Sequence, residues 1–201
     1  WFQGNKDFYA AEKVADDIRR ISGEFGFAEN RTVLYGSSQG GFAAMATGAY
    51  MKEASVLAEC PQSDWRKFNM TADLLRAALV CYRVKTMAEL PEWAEVRSSI
   101  ISLYDHVGPP SSVKILVKET DTHCVDVHVK PLAEAYPAID VEVFTGEMGL
   151  GGHSGLPKDK IVDEINVVVA KQAAVAVPAA AREEAVTGPV GVWAKVKRLM
   201  A

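Results

Sequence analysis

An apolar run that breaks into glycine and serine and re-emerges at once as a helix constrains this chain more than any other stretch. Thr32-Val33-Leu34-Tyr35 is β-branched, aliphatic and aromatic, the composition of a buried strand. Gly36-Ser37-Ser38-Gln39-Gly40-Gly41 follows, and then Phe42-Ala43-Ala44-Met45-Ala46, a strong helix-forming segment. The reading is strand, tight turn, helix, with a Gly-x-Ser-x-Gly core from Gly36 to Gly40. At such a turn the serine backbone is strained and its hydroxyl stands clear of the sheet. Gly36 and Gly40 are expected to be required because a side chain there would strike the neighbouring strand or helix. The helix beginning just after Ser38 would aim free N–H groups and a positive dipole end at whatever sits over the turn.

The remaining elements can be placed relative to that turn. Apolar residues at Phe8, Ala11, Val14, Ile18 and Ile21 predict a one-sided helix over 7–21, stopped by Gly23 and Gly26. The turn helix is expected over 41–52 and a second strand over 54–58, with Cys60-Pro61-Gln62-Ser63-Asp64 as its loop. Residues 71–102 read as two or three helices interrupted near Pro91. The block 65–105 is expected to form a helical cap inserted between core strands, with Trp65, Phe68 and Trp93 available to line a pocket. Further strands are expected over 113–118 and 139–144. A helix over 127–135 ends at Pro137, and another opens at Pro157 and runs to 171. Strands separated by helices at this spacing imply an α/β fold, a mostly parallel sheet with helices on both faces.

Composition narrows the partners. Of 201 residues, 49% are hydrophobic and 24% charged, ordinary for a globular domain, and a net charge of −4 argues against nucleic acid. Three cysteines, Cys60, Cys81 and Cys124, read as reduced packed thiols, and with no signal peptide the expected compartment is cytoplasmic. Residues 1–171 form the expected domain. The Ala/Val/Pro-rich stretch 172–189 reads as a linker, and 190–201 as a basic amphipathic helix for an interdomain or membrane-surface contact.

The Gly-x-Ser-Gln-Gly-Gly stretch resembles the nucleophile elbow of α/β-hydrolases and is similar to that of several carbohydrate esterases. The resemblance covers about residues 7–171, the C-terminal half of that fold. It implies that strands normally preceding the elbow strand lie upstream of Trp1. It also implies a serine, then an acid, then a histidine in chain order. Ser38, Asp121 and His153 supply that order, each just past a predicted strand, where open α/β sheets place their ligands. His106 precedes the third strand, and His123 and His128 share the acid's own segment. His153 stands instead in Gly151-Gly152-His153-Ser154-Gly155, where small neighbours leave room for an imidazole. Asp126 is the alternative acid, or the cap of the following helix if Asp121 is the acid. Asp121, His123, Asp126 and His128 could all ligate a metal, but match no ligand spacing, so neither metal nor cofactor is expected.

By the same resemblance, Gln39 supplies an oxyanion N–H, and the activity implied is that of a serine esterase or acyltransferase. Its substrate would be a small-molecule or glycan ester. A non-catalytic hydrolase-like module of a larger protein is the other reading. Without the hydrolase context, the glycines and serines would make a βα loop that binds a phosphate or nothing.

Overall fold

The computed structural model describes residues 6–67, 76, 78–80, 82–145 and 155–176, without the side chains of 173–176. His153, Phe68, Cys81, Trp1–Gly4 and the stretch 177–201 therefore lie outside the described residues. Four parallel strands, β1 (Val33–Ser37), β2 (Ser55–Glu59), β3 (Ser112–Lys118) and β4 (Asp140–Phe144), pair in the order β1-β2-β3-β4. The register sets Ser37 beside Glu59, Glu59 beside Leu116 and Leu116 beside Glu142, so all four strands finish at one edge.

Side-chain alternation along β2 and β3 divides the core in two. Val56 and Ala58, with Val113, Ile115 and Val117, face one layer; Leu57 and Leu116 face the other. The first layer holds α1 (Ala10–Glu24), α2 (Gln39–Tyr50), α3 (Glu92–Ser98), α4 (Ile100–Val107) and α5 (Lys130–Ala135). The second holds α6 (Lys158–Ala176), seated through Leu156 and Ile161. Helices cover both faces, as the periodicity implied.

Helix α2 is buried nearly all round, with Phe42, Ala44, Met45, Ala46 and Ala49 in the core. Its small residues let α1, α4 and the sheet approach together. Helix α1 runs through Gly23, three residues past its expected end; Gly26, at φ +74, is the residue that terminates it. The proposed cap resolves into two parts. Trp65 stacks on Tyr82 with ring centroids 5.8 Å apart, Trp93 meets Tyr82 tilted at 5.6 Å, and Arg97 lies over the faces of Trp93 and Tyr9. Helix α4, by contrast, is the core crossover from β2 to β3. Its Tyr104 is buried and donates to the Met45 carbonyl of α2 at 3.4 Å, so residues 100–105 belong to the core.

Two other expectations shift. The helix expected over 127–135 begins at Thr122 and passes through a π-helical stretch, Cys124–Val129, before α5. Helix α6 continues to Ala176, so the first residues of the expected linker are helical. Among the described residues, no helix is long and apolar enough to cross a membrane.

Candidate active site

The site is built where β1 turns into α2. Ser38 occupies φ 55, ψ −116, a region that non-glycine residues enter only when their surroundings hold them there. The Ser38 N–H donates to the Glu59 carbonyl at 2.8 Å, and its own carbonyl accepts from Gly41 N at 3.0 Å and Gln62 N at 3.3 Å. Gly36 must lack a side chain, because a Cβ there would overlap the Gly40 peptide. Gly40 itself is different: a Cβ at that position would meet nothing within 4 Å. The second tight approach falls at Gly41, whose Cβ would lie 2.8 Å from Cβ of Pro61. The expectation that Gly40 prevents a collision is therefore corrected, because the direction its Cβ would take is open and it is Gly40's carbonyl that a Cβ on Gly36 would strike. Gln39 opens α2 and is exposed, with its N–H in the first turn.

The loop leaving β2 supplies residues that sequence reading did not single out. Gln62, only 2% exposed, directs its side-chain Nε2 to Ser38 Oγ at 3.3 Å. Glu59, equally buried, accepts from Tyr35 Oη at 2.9 Å and from the Leu156 N–H. Its carboxylate thus ties β1 to Leu156, just ahead of α6. The detectable signal was position: both residues stand at the carboxyl end of a buried strand adjacent to the serine turn.

Asp121 lies past the end of β3, is buried, and accepts the Cys124 N–H at 3.1 Å through Oδ1. That bond caps the helix starting at Thr122, so the capping role expected of Asp126 belongs to Asp121. Asp126 is exposed within the π-helical stretch. Cys124 also links this segment to the β2 loop, its Sγ approaching the Pro61 carbonyl at 3.5 Å. Cys60 and Cys124 hydrogen-bond to each other. The Cys124 donor holds the Cys60 thiol down to about 7, while the same bond and then burial push Cys124 up. His128 is buried, its ring edge-on to His123 at 5.4 Å, and its carbonyl accepts from Ser63 Oγ at 2.8 Å.

Ser38, Gln62 and Asp121 thus follow the carboxyl ends of β1, β2 and β3, and His153 falls outside the described residues. Among the described residues, no three His, Cys, Asp or Glu side chains gather closely enough to hold a metal ion.

An all-parallel sheet in this order, flanked by helices on both faces and entered through this strand–turn–helix, is an α/β-hydrolase-like fold. No protein-family model and no curated protein matches the chain. Among solved structures it is similar to the capsule O-acetyltransferase of Neisseria meningitidis serogroup A. The TM-score is 0.57 at 14% identity, over 78% of this chain and 63% of that one. It is also similar to esterase B from Lactobacillus rhamnosis, at TM-score 0.56 and 13% identity, over 82% and 63%. Dipeptidyl peptidase 4 of Porphyromonas gingivalis gives 0.59 and 12%, over 85% of this chain and 23% of that one. The chain thus spans under two thirds of the length of each of these three.

Proposed function

We propose that this chain carries the serine site of an ester hydrolase or acyltransferase. The observation that supports this most is the conformation of Ser38. A strained serine, held at a strand end by hydrogen bonds from two directions and set at a helix N-terminus, is the arrangement a nucleophile elbow needs. Ser38 Oγ attacks the ester carbonyl as its proton passes to His153. The tetrahedral adduct collapses with loss of the alcohol, which takes that proton, leaving an acyl-serine. Water or a second alcohol then attacks the acyl-serine by the reverse sequence, regenerating Ser38. Asp121 is the proposed partner of the imidazole, favoured over Asp126 by its burial at the strand end. Gln39 N–H is the proposed oxyanion donor. Resemblance to a capsule O-acetyltransferase fits a small acyl group on a carbohydrate hydroxyl as the substrate class.

A fluorophosphonate probe, which reacts with activated serines, tests the reading. The expected result is stoichiometric labelling of the wild-type chain, lost in Ser38→Ala and strongly slowed in His153→Ala and Asp121→Asn. Asp126→Asn should label at the wild-type rate. An unlabelled wild-type protein that is folded by circular dichroism would refute the proposal and leave the non-catalytic module.

A further inference from the structure

Gln62 presents an energetic puzzle that stability alone does not resolve. Its side chain is 2% exposed, and its Oε1 has no hydrogen-bond partner among the described residues. A buried amide oxygen left without a donor is destabilising, so an apolar side chain of the same shape would suit the fold at least as well. The other end of the amide points at the hydroxyl of Ser38, 3.3 Å from Nε2. The main-chain N–H of the same residue meets the Ser38 carbonyl, also at 3.3 Å, so Gln62 grips the serine through both peptide and side chain.

We propose that Gln62 is a catalytic residue of this site, its Nε2 donating to the reacting oxygen of Ser38. The inference rests on the serine-nucleophile reading above and assigns the site a donor beyond the backbone of α2. An N–H directed at Oγ occupies one lone pair of the hydroxyl. The hydroxyl hydrogen is then left to point away toward a base. As that O–H bond breaks and its proton moves to the base, negative charge builds on Oγ, and the Gln62 N–H stabilises it until the bond to carbonyl carbon forms. Gln62 keeps both of its amide protons throughout. Charge-assisted hydrogen bonds of this kind are the strong ones, and their loss slows reactions substantially.

Two near-isosteric variants of the full chain test the assignment, with the second-order rate of fluorophosphonate labelling as the readout. Gln62→Met removes the donor and the orphaned oxygen together. It should label about 10- to 100-fold more slowly while its urea midpoint stays equal or rises. Gln62→Glu keeps the shape and, once ionised, offers only acceptors, so above the pH at which its buried carboxyl loses its proton it should be slowed at least as much. Wild-type labelling rates in Gln62→Met overturn the inference, as does faster labelling in Gln62→Glu, which would mean that the hydroxyl donates to position 62. Slowed labelling accompanied by a collapsed urea midpoint in both variants also overturns it, since the role would then be structural. Failure of the wild-type chain to label at all removes the serine reading, and this inference with it.

Discussion

Ser38 is held in a conformation that costs a residue with a side chain about 1–3 kcal/mol. The strain persists because every backbone polar group of Ser38 is engaged: N–H to Glu59, carbonyl to Gly41 and Gln62. The glycines around it divide by geometry. A methyl at position 36 would overlap backbone, which cannot swing aside, so Gly36→Ala should cost about 3 kcal/mol. Gly40→Ala adds a methyl into open space in the first turn of α2 and should be neutral or stabilising by about 0.5 kcal/mol. Urea denaturation of the two variants checks both, and equal midpoints would contradict the packing described. Residue types and chain order placed the turn at Ser38 and the strand-end position of Asp121 in the sequence, because a strand followed by a small-residue turn has few alternatives. Gln62 was not legible. A glutamine in a polar loop carries no signal until the neighbouring strand fixes what its amide faces.

Between elements, the carboxyl end of β2 does the joining. Glu59 receives Tyr35 Oη from β1 and the Leu156 N–H at the approach to α6. Tyr35 is 42% exposed, and partial desolvation of its phenol first, and then the Glu59 hydrogen bond, raise it from its ordinary 10.0 to about 12. The folded chain therefore keeps this proton when the unfolded chain has lost it. The associated stability is complete below pH 10, and declines as pH rises through about 12. Urea midpoints measured across that window should fall with pH, and Tyr35→Phe should fall less steeply. An unchanged slope would show that neither burial nor Glu59 holds the Tyr35 proton in the folded state. Tyr136, raised to about 12 by burial and Asp105, contributes to the same decline and should persist in the variant. Element types were readable from periodicity, but two assignments depended on packing. Helix α4 looked like part of a cap because its apolar residues do not say which layer buries them, and only contact with α2 makes it a crossover. The π-helical stretch after Asp121 has no periodic signature in six residues.

Among the described residues, burial within the sheet is concentrated on the two central strands. Every residue of β2 is buried, and β3 is buried over its last four residues, whereas β4 is only partly covered. Amide hydrogen exchange should accordingly be slowest in β2 and β3 and at the face of α2 that contacts them, and measurably faster in β4. Exchange in β4 as slow as in β2 would contradict this gradient. The sheet class was legible because buried parallel strands read as short apolar runs between helices, and the loop-by-loop approach of the site was not, since distances between strand ends depend on register. That register has a consequence for how the chain tolerates change. With strands stacked in unbroken order, the polypeptide climbs like a spiral stair whose landings all open on one side. Lengthening the flight between β2 and β3 at an exposed turn, such as Lys85-Thr86, leaves each landing where it was. Deleting a single residue within β2 would instead turn Glu59 to the opposite face and detach Ser38 from its support, so insertions and deletions of equal size should have unequal effects depending on the step they strike.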